Sequence, residues 1–81
     1  MTLFHGTNRK IEDGTATGTF FTDDLVLAVT YARRKDGSLV YALNIDENRI
    51  SDIFSKDIFG EHFVSRCFIP IDNLIPLTVG A

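Results

Sequence analysis

The sequence predicts an α+β fold, a small, mainly antiparallel sheet with one long helix and one or two short helices. Only one segment, Leu25 to Ala32, combines apolar residues at helical spacing with plausible start and stop signals on both sides. The other apolar stretches are short runs rich in β-branched and aromatic residues, and Gly, Asn, Asp and Pro punctuate the chain between them.

Thr2 to His5 reads as a short strand ending in the turn His5-Gly6-Thr7-Asn8, and the polar stretch onward to Gly18 reads as a loop. Thr19 to Thr22 is a second short strand. Thr22 then has the position and chemistry of a helix N-cap, with Asp23 and Asp24 in the first turn, where the helix dipole favours negative charge. Leu25, Ala28, Val29 and Ala32 supply the apolar stripe. Arg33, Arg34 and Lys35 fall in the last turn as a solvated, dipole-matched helix end, and Gly37 lies just beyond. Leu39 to Ile45 is a strand broken by Asp46-Glu47-Asn48. Ile50, Ile53, Phe54 and Ile58 have roughly helical spacing, so one or two short helical turns are expected there, ended by Gly60. Glu61 to Ile69 is expected to be the longest strand, stopped by Pro70, and Leu74 to Val79 a last short one broken by Pro76.

With 81 residues the chain is expected to form a single domain over residues 1–81, and so small a domain must commit nearly every apolar residue to its core. The 44% hydrophobic and 23% charged composition is that of a folded globular domain. Eight Lys and Arg against eleven Asp and Glu give a formal charge of -3, which leaves no basic field for phosphates and argues against direct binding of duplex nucleic acid. The single cysteine, Cys67, cannot form an internal disulfide, and no zinc-type spacing of Cys or His is present, so no metal is expected. Cys67 lies in an apolar run and reads first as a buried thiol. The sharper reading is an edge thiol that links two chains as a homodimer on oxidation. No apolar stretch approaches the roughly 18 residues of a membrane span, and no basic start precedes a hydrophobic segment, so a cytoplasmic location in the host cell and no membrane partner are expected.

Three segments carry the chemistry. They are Leu3-Phe4-His5-Gly6-Thr7, then Gly18-Thr19-Phe20-Phe21-Thr22-Asp23 running into Ala28-Val29-Thr30-Tyr31-Ala32, then Gly60-Glu61-His62-Phe63-Val64. Taken singly, each is explained by structure: a strand and turn at His-Gly-Thr, core packing by the Phe pair, a half-buried helix tyrosine and a solvated carboxylate. In this order and spacing they resemble the ADP-ribosyltransferase superfamily, in the branch with the His-Tyr-Glu signature that includes poly(ADP-ribose) polymerases, diphtheria toxin and small phage and bacterial members. Ala28 and Tyr31, three residues apart, share one helix face, as that family's small residue and nicotinamide-stacking tyrosine do.

The resemblance implies a minimal ADP-ribosyltransferase-like fold with NAD as substrate. His5 would bond a ribose hydroxyl of the adenosine half through a neutral imidazole, and Gly6, in the His5-Gly6-Thr7 motif, would offer its backbone to the nicotinamide carboxamide. Tyr31 would stack on the nicotinamide, with Phe20 and Phe21 as apolar walls and Ala28 as the small helix residue. Glu61 would be the catalytic residue, its carboxylate stabilising the oxocarbenium-like charge that develops as the N-glycosidic bond breaks. His62 would alternate away from Glu61 on a shared strand and stay out of the site.

Two departures from the family pattern stand in this chain: Phe20 where a tyrosine is usual, and Ala28 where polymerases often have serine. Each removes a polar group from the pocket. The resemblance therefore implies two functions. One is an NAD-dependent mono-ADP-ribosyltransferase of phage or mobile-element type that modifies a host or defence protein. The other is a non-catalytic, anti-CRISPR-like inhibitor that keeps the scaffold and blocks a partner such as a CRISPR surveillance complex.

Overall fold

A computed structural model describes residues 1–37, 39–57 and 62–78. In chain order its elements are β1 (Thr2–Thr7), β2 (Gly14–Thr15), β3 (Phe20–Phe21), α1 (Leu25–Arg34), β4 (Leu39–Asn44), a 3-10 turn (Glu47–Arg49), α2 (Ile50–Ile53), β5 (Phe54–Lys56), β6 (Phe63–Ser65), β7 (Ile69–Pro70), a second 3-10 turn (Ile71–Asn73) and β8 (Ile75–Thr78). Among the described residues every strand pairing is antiparallel, in three small sheets ordered β1-β4-β8, β2-β7 and β3-β6-β5. The class is α+β. The helix expected to be long has ten residues, an ordinary length for a globular domain. The helical turns expected over Ile50 to Ile58 reduce to α2, because Phe54 begins strand β5; the two 3-10 turns lie outside that stretch.

The strand pair β1 and β4 organises the domain, because all six residues of β1 find partners, from Thr2 opposite Asn44 to Thr7 opposite Leu39. Strand alternation then splits the side chains between two cores. Leu3, Tyr41 and Leu43 join Phe21, Phe54, Phe63, Ile69 and Leu74 in the larger one, whereas Val40 joins Ala28 and Ala32 of α1, with Phe4, Val29 and Leu77 packed around them. Burying Leu3 and Phe21 almost completely contributes about 1.5–3 kcal/mol each. The Tyr41 hydroxyl in the larger core accepts a hydrogen bond from the Ile11 N–H at 2.9 Å.

Helix α1 lies on β1 at Gly6. A Cβ at that position would stand 2.0 Å from the Ala28 carbonyl oxygen and 3.0 Å from the Ala32 nitrogen. The strand therefore runs straight through Gly6, and the turn expected at His5-Gly6-Thr7-Asn8 begins only after Thr7, whose Oγ1 accepts from the Arg9 N–H.

The ends of α1 differ from expectation in an informative way. The N-cap is Asp24 and not Thr22: the Asp24 carboxylate accepts from the Val26 and Leu27 N–H groups at 2.9 and 3.3 Å. Thr22 instead is buried, accepts from the Asp24 N–H through its Oγ1 and bridges to Phe4 of β1 by two backbone bonds of 2.7 and 2.8 Å. At the other end, Asp36 takes the left-handed conformation at φ 58°, and the Asp36 and Gly37 N–H groups bond the Arg33 and Ala32 carbonyls, a Schellman closure. Gly37 follows because a Cβ there would press on the Thr7 oxygen and Asn8.

The single long strand expected from Glu61 to Ile69 is two strands in two different sheets. After β6 the Arg66 N–H bonds the Ile53 carbonyl at 2.7 Å and its guanidinium bonds the Ser51 carbonyl at 2.9 Å, which turns the chain out of β6 before β7 pairs with β2. Cys67 sits at that corner and is exposed, so the buried thiol expected from its apolar neighbours is corrected. The loop expected before Gly18 contains β2. Ile58, Phe59, Gly60, Glu61 and Val79 lie outside the described residues. Among those described, no helix is long and apolar enough to cross a membrane.

Two stability measurements check these local assignments. Asp24→Ala is expected to lower unfolding free energy by about 1 kcal/mol through loss of the cap, whereas Asp23→Ala stays within about 0.5 kcal/mol. Gly6→Ala is expected to cost about 2–3 kcal/mol, because the added methyl meets backbone that cannot rotate away. Urea unfolding of the three variants reads both effects.

Candidate functional site

Three distant parts of the chain meet in one cleft of about 390 Å³, lined by Phe4, His5 and Gly6 of β1, Phe20 and Phe21 of β3, Thr22, Ala28 and Tyr31 of α1, Lys35 and His62. The Phe4–Thr22 bridge holds β3 beside β1, and the Gly6–Ala28 contact holds α1 against the same strand, so the cleft is a product of those two junctions. Its walls are mainly aromatic. Phe21 is buried and belongs to the core, whereas Phe20 is 57% exposed at the rim.

His5 donates from Nδ1 to the Phe20 carbonyl at 2.8 Å, which leaves Nε2 as the acceptor nitrogen of a neutral imidazole. Its ring lies 5.5 Å from that of Phe21. Burial lowers the His5 pKa from 6.5, the nearby Lys35 charge lowers it further, and the bond to Phe20 offsets part of the shift. Ala28 is completely buried under the strand. Gly6 lines the cleft, and its missing Cβ also lets α1 touch the strand backbone. Thr7 lies one residue beyond the cleft and does not line it.

Tyr31 reaches across the cleft from the helix. Its hydroxyl is 2.6 Å from His62 Nε2, and His62 Nδ1 is 2.8 Å from Asp57 Oδ2. A carboxylate can only accept, so His62 carries its proton on Nδ1 and offers the Nε2 lone pair to the Tyr31 O–H. The other Asp57 oxygen accepts from the His62 backbone N–H at 3.3 Å, and the Asp57 N–H bonds the His62 carbonyl at 3.1 Å. These bonds lock residues 57 and 62 together just beyond the last β5–β6 pair, Lys56 opposite Phe63. The rings of Phe20 and His62 lie 5.6 Å apart, and the Arg34 guanidinium stands 5.8 Å from the Tyr31 ring centre.

His62 therefore belongs to the cleft, contrary to the expectation that strand alternation carries it away. The reason is that β6 starts at Phe63, so alternation does not govern residue 62. Asp57, Lys35 and Phe4 were also missed. Asp57 becomes legible only once the β5–β6 register is known, whereas Lys35 could have been placed by counting one helical turn on from Tyr31. Glu61, the expected catalytic residue, lies outside the described residues, and its chain neighbour His62 lines the cleft. A larger and more open hollow of about 700 Å³, between Leu43, Arg49, Cys67 and Phe68, is lined by none of the motif residues and by no His or Tyr. Among the described residues no three His, Cys, Asp or Glu side chains cluster to hold a metal.

The depressed His5 pKa has a defined pH signature. The unfolded chain takes up a proton near 6.5 that the folded protein resists, so stability from neutral His5 is complete above 6.5 and is lost as pH falls from there toward the lower folded value. Urea unfolding across that window should show a decline in the wild type that is smaller in His5→Gln. Set against known protein families, curated proteins and solved structures, the chain has no match.

Proposed function

We propose that the protein is an NAD-dependent mono-ADP-ribosyltransferase with a minimal transferase-like fold, acting in the cytoplasm of a host cell on a host or defence protein. The observation that carries the reading is convergence: His5, Phe20, Phe21, Ala28 and Tyr31, drawn from strands β1 and β3 and helix α1, line one aromatic cleft. Chance core packing has no need to aim an imidazole, a phenol and two phenylalanines at one hollow.

The chemistry of the walls fits the nicotinamide end of NAD. A nicotinamide in NAD is a planar cation, and aromatic faces attract such a group both by apolar contact and through their quadrupoles. A volume of about 390 Å³ is near the lower end of small-molecule sites, so nicotinamide and its ribose would fill it while the rest of the dinucleotide crosses the rim. Lys35, on that lining, supplies an ammonium for the pyrophosphate. His5 offers Nε2 to a sugar hydroxyl, and Glu61, one residue from His62, would bring its carboxylate to the developing oxocarbenium charge.

The second reading, a binding inhibitor on this scaffold, is favoured by large apolar side chains left in solvent, Phe20 at 57% and Val26 at 74% exposure. Its partner would be a defence assembly such as a CRISPR surveillance complex, and catalysis would be dispensable.

One set of measurements separates the two. On the transferase reading NAD raises the melting temperature, labelled NAD marks a protein in host lysate, and Glu61→Ala lowers the labelling rate by at least about 100-fold. No thermal shift and no labelling, with inhibition of the partner equal in wild type and Glu61→Ala, would establish the inhibitor instead.

A further inference from the structure

We propose that Asp57, His62 and Tyr31 form a proton-transfer chain that makes the acceptor of this enzyme a side chain that must give up a proton, and not a carboxylate. The inference rests on the transferase reading and adds to it the acceptor class and the group that takes the acceptor's proton.

The geometry has three parts. The Asp57 carboxylate grips one residue through two bonds, to the His62 Nδ1–H at 2.8 Å and to the His62 backbone N–H at 3.3 Å, so the imidazole is held in one tautomer and one orientation. The Nε2 lone pair then faces the Tyr31 O–H at 2.6 Å, a short contact between a donor and the acceptor able to take its proton. Both Tyr31 and His62 line the aromatic cleft, while the His62 and Asp57 side chains are only 16% and 21% exposed. A tyrosine needed solely as a flat stacking surface would not need a base behind its hydroxyl. A histidine needed solely to close the β5–β6 connection would not need to reach a different element, the helix.

The arrangement supplies what transfer to a proton-bearing side chain requires. The C1′–N bond of NAD breaks with its electron pair on nicotinamide, which leaves as a neutral base and needs no proton. The acceptor atom bonds C1′ and must shed its hydrogen. That proton passes to the Tyr31 oxygen as the Tyr31 proton moves to His62 Nε2, the Asp57 carboxylate holds the resulting imidazolium, and water later takes the proton from it. An ionised Asp or Glu acceptor has no proton to give up and would leave the chain without a task. The acceptor is therefore a hydroxyl, thiol, amine or guanidinium side chain and not a carboxylate, with water as the hydrolytic substitute.

The test uses the full chain, NAD labelled in the adenosine half, and host lysate. Tyr31→Phe keeps the ring and removes the hydroxyl. It should retain the wild-type thermal shift with NAD yet transfer at least about 100-fold more slowly, as for loss of a general base. His62→Gln should lose a similar factor. The double variant should be no slower than the worse single one, because residues acting as a unit are not additive. Nitrogen-15 shifts of the wild type should show His62 protonated at Nδ1, and Asp57→Asn should change that tautomer pattern. Mapping of labelled peptides should place the ADP-ribose on side chains other than Asp and Glu. Transfer by Tyr31→Phe within about threefold of wild type, additive losses, or a label carried by Asp or Glu would overturn the proposal. A wild type that neither responds to NAD nor releases nicotinamide would defeat the transferase reading itself, and this inference with it.

Discussion

The contact between the backbone of Gly6 and the backbone of Ala28 is the constraint on which the site depends. With 2.0 Å between the position of a Cβ on Gly6 and the Ala28 carbonyl oxygen, the helix rests directly on the strand. A helix that close brings the residue one turn further, Tyr31, to the same cleft as His5, since positions three apart share a face. Ala28 and Ala32 are small for the same reason, and both are buried to within 1%. Two alanines and a glycine thus set the width of the cleft that the aromatic residues line.

The second junction, the Phe4–Thr22 bridge, fixes the opposite wall. Its two short backbone bonds bring β3 beside β1, and the His5 bond to the Phe20 carbonyl adds a third tie between the same strands. Burial then makes His5 a neutral imidazole, because solvation lost on folding penalises the charged ring. The third wall hangs on the β5–β6 connection, and there the Asp57–His62 bonds do the work that sheet pairing does elsewhere. Fold and site are therefore not separable in so small a domain: the ties that complete the structure also aim the polar groups of the cleft.

Much of this was legible in the letters, and the rest was hidden for identifiable physical reasons. The helix could be read because Leu25, Ala28, Val29 and Ala32 repeat at its period and a carboxylate stands before it. The cap was misplaced by two residues because Thr22 and Asp24 are both good caps, and only the buried bridge to Phe4 tells which is occupied elsewhere. Strand β4 was legible as an apolar run. The division of the last third into β6 and β7 was not, because Arg66 turns the chain by bonding carbonyls of Ser51 and Ile53, residues far off in sequence. His5, Phe20, Phe21, Ala28 and Tyr31 were found by motif spacing, and the cleft collects all of them. His62 was lost by applying strand alternation one residue beyond the strand.

That last error shows where the chemistry of small domains is hardest to read. Periodicity assigns side chains to faces only inside regular elements, and residues just outside them answer to local hydrogen bonds. Asp57 and His62 are such a pair, five apart in sequence and facing each other only because β5 and β6 are paired up to Lys56 and Phe63. A domain of this size has few interior positions to spare for polar groups, since nearly all of them hold its core. Polar groups that face a cleft then tend to stand at element ends, where a strand stops alternating, a helix presents its last turn or a hairpin leaves its register. Lys35 at a helix cap and His62 one step before a strand follow that pattern, whereas His5 stands inside β1 beside the Phe4–Thr22 bridge.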